Sequence, residues 1–202
     1  MLERIINKRH RIISLFLALL MMVSLIPILE TNVFAEDEIN QWHKYGECQW
    51  RIDDKGTLTV KPINGVYGEL RSDENEVFPK FGNERAKKVK FEGKVIINTC
   101  GNLFIGCKNL EEIDLRGLDT SKVKDMSCMF SHCDNLKKIN LQGLDTSNVT
   151  DMSEMFYECS SLNEIDLTNL DTSNVTNMSR MFECCSSLNE IDLTNLDTSN
   201  VT

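Results

Sequence analysis

The chain has 202 residues, with 22 basic and 31 acidic side chains and a formal net charge of −9. Without residues 1–35 the balance is 18 basic to 29 acidic, and a surface so charged argues against nucleic acid and anionic lipid as partners. Length says little about domain number here, because a fixed internal period runs through the second half and a repeat array grows by whole coils.

Residues 1–35 read as an export signal. The basic run Lys8-Arg9-His10-Arg11 precedes an apolar stretch from Ile12 to Leu29, and Val33-Phe34-Ala35 offers a small-residue cleavage site. The apolar stretch is also long enough for a membrane span, so a retained anchor is the alternative. Pro27 and the polar Glu30-Thr31-Asn32 favour cleavage, and the expectation is a secreted chain with no membrane insertion once the signal is removed.

Residues 36–88 lack the period of the second half. Cys48, Trp50 and Ile52 alternate with polar residues, as do Leu58 and Val60, and Asp53-Asp54-Lys55-Gly56 between them completes a hairpin signature. Ile63-Asn64-Gly65-Val66 offers a second turn of the two-residue kind. The segment is expected to be a small β cap, which covers the apolar face of a first coil.

Residues 89–202 form the array. Phe104, Phe130, Phe156 and Phe182 recur every 26 residues, as do Cys107/133/159/185, Leu110/136/162/188, Ile113/139/165/191 and Val123/149/175/201. Val149, Met152, Met155, Phe156 and Cys159 have spacings that predict one face of a short helix, with Thr150-Asp151 as its capping pair. Leu162, Ile165 and Leu167 end in the two-residue step of a strand. Asp145-Thr146-Ser147-Asn148 and its copies at 119, 171 and 197 read as the corner between them.

The expected fold class is therefore an α/β repeat solenoid of about four coils, each a short strand plus a short helix, preceded by the β cap. Residues 185–202 repeat residues 159–176 letter for letter. The array is expected to be incomplete at its C-terminal end, where an uncapped last coil is open to end-to-end association.

The string Met-Phe-x-x-Cys-x-x-Leu-x-x-Ile-x-Leu-x-x-Leu-Asp-Thr-Ser-x-Val-x-x-Met-Ser-x-Met-Phe resembles the BspA-like family of bacterial leucine-rich repeat surface proteins. Gly46-Glu47-Cys48-Gln49-Trp50 likewise resembles the hairpin that precedes those repeats. The resemblance implies an exported protein at the bacterial cell surface that binds extracellular or cell-surface proteins of a host or neighbouring cell, with adhesion its role. Two departures matter: Lys61-Pro62-Ile63-Asn64 comes after the hairpin, and Gly117, Gly143, Asn169 and Asn195 stand where leucine-rich repeats carry a constant asparagine, so the asparagine ladder is expected to be absent or rebuilt from the Asp-Thr-Ser corner.

Chemistry-bearing residues point away from an enzyme. The cysteines at 107, 133, 159 and 185 share an apolar register and read as small core residues, whereas Cys128 and Cys184 fall at solvent positions. No Cys-x-x-Cys zinc spacing occurs, His43 and His132 lack a nucleophile and carboxylate at useful spacing, and neither metal nor cofactor is expected. The Asp119/145/171/197 column reads as Asx corners rather than a calcium row. The candidate protein-binding face consists of the residues that alternate with the strand core: Glu112, Asp114 and Arg116; Lys138, Asn140 and Gln142; Glu164, Asp166 and Thr168; Glu190, Asp192 and Thr194. The near-identical last coils raise a second reading, a stalk or spacer with no ligand of its own.

Overall fold

The computed structural model divides into two units, Met1–Glu36 and Asp37–Thr202. It describes residues 40–70 and 85–202, all in the second unit; the expected export signal lies outside the described residues.

Strands β1 (His43–Tyr45), β2 (Cys48–Ile52) and β3 (Thr57–Pro62) form an antiparallel meander. The β2–β3 turn follows from two residues. Asp53 accepts from the Lys55 and Thr57 amides at 3.0 and 2.8 Å, and Gly56 takes a φ of +79° where an added Cβ would lie 2.9 Å from the Arg85 carbonyl. Alternation then buries Cys48, Trp50, Ile52, Leu58 and Val60 on one side.

The second expected turn, at residues 63–66, forms, and it serves as a corner between two sheets. Asn64 accepts from the Val66 and Tyr67 amides at 2.8 and 3.1 Å, but β3 and the following β4 (Tyr67–Glu69) enter different sheets. Strand β3 runs parallel to β5 (Lys88–Phe91), which pairs with β7 (Glu112–Asp114); β4 pairs with β6 (Lys94–Ile96) and then β8 (Leu118–Asp119). Cap and array thus share one five-stranded sheet. An Asp114–Asn140 bridge and the parallel pair β9 (Lys138–Ile139) and β10 (Glu164–Ile165) extend the same direction of stacking.

The chain is a β-solenoid of about three turns. The expected helix does not form within the coils: residues 126–133 and their copies run as consecutive turns. The cause is where the amides go. Met126, Cys128, Phe130 and His132 donate to the carbonyls of Asp151, Ser153, Met155 and Tyr157 in the next coil, at 2.8 to 2.9 Å. Met152, Glu154, Phe156 and Glu158 repeat this toward Asn177, Ser179, Met181 and Glu183. The amides between them close i to i−3 turns, such as Ser131 to Cys128 and Cys133 to Phe130. Two residues per coil sit in the left-handed region, Cys128 and His132 (φ 53° and 60°), then Glu154 and Glu158 (both 56°), which a helix forbids. The 3, 3, 1, 3 spacing survives because successive turns bring those side chains to one face as a helix would.

Each inward column is continuous. Phe104, Phe130, Phe156 and Phe182 stack at 5.4 to 5.6 Å between ring centroids. Met126, Met129, Met152 and Met155 are fully buried beside them. The buried thiols of Cys133, Cys159 and Cys185 donate to the carbonyls of Phe104, Phe130 and Phe156 at 3.1 to 3.3 Å, and burial pushes Cys107 and Cys159 up to about 12. These are core residues with little thiolate character.

The corners hold the stack in register. The hydroxyl of buried Thr120 donates to the Asp145 carbonyl and accepts from its amide, at 2.9 and 2.8 Å. Thr146 does the same to Asp171 and Thr172 to Asp197. Outside them Asn148, Asn174 and Asn200 donate to the carbonyls of Ser121, Ser147 and Ser173 at 2.8 to 2.9 Å. The leucine-rich repeat asparagine ladder is thus rebuilt at this corner as a threonine ladder with an asparagine ladder beside it. Asp119, Asp145, Asp171 and Asp197 accept from the serine amide two residues on, at 2.9 to 3.1 Å, as Asx corners.

In the last coil Phe182, Leu188, Ile191 and Leu196 are partly buried, and Leu193 is half exposed.

Candidate protein-binding face

Ladder register sets which outward side chains become neighbours. Lys88 pairs with Glu112 and Lys90 with Asp114 between β5 and β7; Asp114 then bridges to Asn140, and Lys138 pairs with Glu164 between β9 and β10. Glu112, Lys138 and Glu164 therefore form one outward row, and Asp114, Asn140 and Asp166 a second. Arg116, Gln142 and Thr168 form a third. The candidate residues are solvent-accessible, with Asp114 the most covered. In the last coil, Glu190 and Asp192 line a shallow open groove with Asn163, Glu164 and Ile165. Among the described residues the strand ladder stops at Ile165, so Thr194 and its neighbours lie beyond the paired sheet.

The face is organised by local pairs. Lys88 meets Glu112 at 2.6 Å and Lys138 meets Glu164 at 2.5 Å, both across adjacent strands. Arg116 clamps Asp114 through Nε and Nη2 at 2.9 and 2.7 Å, which holds that carboxyl below its ordinary range. The hydroxyls of Thr168 and Thr194 donate to Asp166 and Asp192 at 2.6 Å and lower them likewise. Such exposed pairs contribute little to stability; their effect is to fix where charge is presented.

The periodic pattern gave no sign of the cap's share of this face. Opposite its buried apolar residues the meander presents Gln49, Arg51 and Lys61, with Thr59 covered among them, and β5 presents Lys88 and Lys90. Trp42 lies beneath Arg51 and Lys61, whose cationic groups sit 4.7 and 4.3 Å from its ring. The signal was available in Lys88-Val89-Lys90-Phe91, where apolar residues alternate with lysines.

The turn side carries the remaining reactive groups. His132 meets Glu158 at 2.9 Å and Tyr157 edge-on at 5.4 Å; it belongs to a turn, not to the helix expected there. Cys184 is exposed and comes after Glu158 in the same column, so a carboxylate separates thiol from imidazole. Cys128, expected at a solvent position, is half-buried, 3.7 Å from Glu154, and burial and that carboxylate push its thiol up, which disfavours a reactive thiolate. Among the described residues no group of three or more His, Cys, Asp or Glu is arranged to hold a metal ion.

Two solved structures are similar to this chain. A leucine-rich repeat protein of T. pallidum is 15% identical with a TM-score of 0.30, over 76% of this chain and 89% of that one. A leucine-rich cell surface protein of Faecalibacterium prausnitzii is 14% identical with a TM-score of 0.22, over 75% of this chain and 54% of that one. No curated protein matches the chain. Residues 98–202, the coils whose columns are described above, match the model of the family described as "Mycoplasma protein of unknown function, DUF285", which is related to the BspA-like repeats, and the chain belongs to that family.

Proposed function

We propose that this protein is a non-enzymatic, exported bacterial surface protein whose solenoid binds proteins of a host or neighbouring cell through its strand face. The observation that carries the reading is the division of labour within each coil. Inward columns keep their letters, whereas the outward position before the strand's core isoleucine changes from Glu112 to Lys138 to Glu164, and the one after it from Asp114 to Asn140 to Asp166. A rigid scaffold with varied outward chemistry is what a solenoid uses for recognition. Export rests on the basic, apolar and small-residue order of residues 8–35.

The spacer reading rests on a different observation: Glu164, Asp166 and Thr168 are copied unchanged in Glu190, Asp192 and Thr194. Surface plasmon resonance against a panel of extracellular matrix and cell-surface proteins separates the two. Saturable binding that Glu112→Ala, Lys138→Ala and Glu164→Ala together abolish supports recognition by the strand face. A folded chain that binds none of the panel moves the assignment to the spacer.

A further inference from the structure

The outward charges of the strand face are sorted along the solenoid, a pattern that no single coil displays. At the N-terminal end Lys44, Arg51, Lys61, Lys88 and Lys90 all lie outside the buried side of β1, β2, β3 and β5, with Glu112 and Glu92 as counter-charges 2.6 Å from Lys88 and Lys90. At the other end stand Glu164, Asp166, Glu190 and Asp192, with Lys138 opposing Glu164. Composition shows the same gradient: residues 143–202 contain eleven acidic side chains and a single basic one, Arg180.

We propose that the strand face pairs with the strand face of a second copy in antiparallel, two-fold fashion, each basic end lying on the partner copy's acidic end. Distance is the first argument. From Arg51 in β2 to Glu164 in β10 the ladder counts five strand steps, roughly 24 Å at ~4.8 Å each, and the coil of Asp192 follows beyond it. Salt screens charges over about 8 Å, so the two ends of one copy do not neutralise each other. A two-fold antiparallel contact is self-complementary and satisfies both ends at once. A uniformly acidic or basic foreign surface would instead be repelled by half of the face.

The second argument is the anchor. Trp42, with Arg51 and Lys61 over its ring, puts the residue types of strong contacts at the basic end. Among the described residues Arg51, Lys61 and Lys44 have no carboxylate within ion-pair distance, so this end has charge to offer a partner. The proposal rests on the strand face being the recognition surface, but its test reads self-association and is independent of any foreign ligand.

Sedimentation velocity on the full chain at about 50 mM and about 500 mM salt measures the association. The apolar stretch 12–29 is common to all variants, so association it drives cancels from the comparison. Arg51→Glu with Lys61→Glu is expected to weaken the dimer by at least about tenfold at low salt, and adding Glu164→Lys with Glu190→Lys to restore it to within about threefold. Carbodiimide cross-linking of mixed light and heavy-isotope copies is expected to join Lys61 of one copy to Glu164 or Asp166 of the other, since β2 on the partner's last coil puts β3 on its β10. A chain that stays monomeric at low salt, a dimer indifferent to the reversals, or a four-fold variant that folds but fails to recover would each overturn the proposal.

Discussion

The two sides of a coil stack by the same step and spend their amides differently. On the strand side, extended residues pair across coils, and every second side chain is free to face water. On the turn side, alternate amides also cross to the next coil, but those between them close tight turns, and two residues per coil are forced to positive φ. The strand side therefore tolerates almost any polar letter outward. At the corner, buried hydrogen bonds hold the threonine constant, whereas the outward turn positions also vary, from Cys128 to Glu154 to Arg180, but at the cost of a left-handed backbone that the strand side does not impose.

Replacing a turn-side column residue should test that contrast most severely. Phe130→Ala removes the ring stacked between Phe104 and Phe156 and is expected to destabilise the chain by about 3–5 kcal/mol in urea unfolding. Thr146→Val keeps the shape of a buried corner residue but strands the amide and carbonyl of Asp171. The two unsatisfied groups give an expected loss of about 2–4 kcal/mol; a neutral result would mean that the threonine ladder is not what holds the corner.

Smaller effects lie where the turn side is strained. Glu154 sits at φ 56°, and the equivalent residue of the first coil is Asn102 at φ 60°. Asparagine visits this region more readily than glutamate, so Glu154→Asn is expected to stabilise by about 0.5–1 kcal/mol, seen as a raised melting temperature. On the strand face, Lys138→Ala breaks an exposed pair with Glu164 and is expected to change stability by less than about 1 kcal/mol. A loss as large as that of Thr146→Val would erase the distinction between the two sides.

Sequence made the inward columns legible because a period of 26 repeats them in register, and the outward strand letters legible because a strand alternates by two. The turns imitate a helix in sequence for a physical reason. Spacings of 3, 3, 1 and 3 bring side chains to one face both in a helix and in successive i to i−3 turns, and the two differ only in where the amides go. The left-handed positions would have separated them, but Cys128, Glu154 and Arg180 hide a preference that only Asn102 and Gly106 in the first coil betray. The cap's part in the outward face was missed because residues 36–88 have no period to compare, although Lys88 and Lys90 flank the buried Val89 in plain alternation. The Asx corners were read correctly, because aspartate with threonine and serine after it has a local partner whatever the tertiary fold.

The most direct test of the solenoid's turn side is the destination of one amide. Scalar coupling across hydrogen bonds, measured by NMR on isotope-labelled protein, reports which carbonyl the Phe130 amide engages. A stacked turn predicts coupling to the Met155 carbonyl of the next coil, and coupling to the Met126 carbonyl, four residues back, would contradict it by restoring the helix.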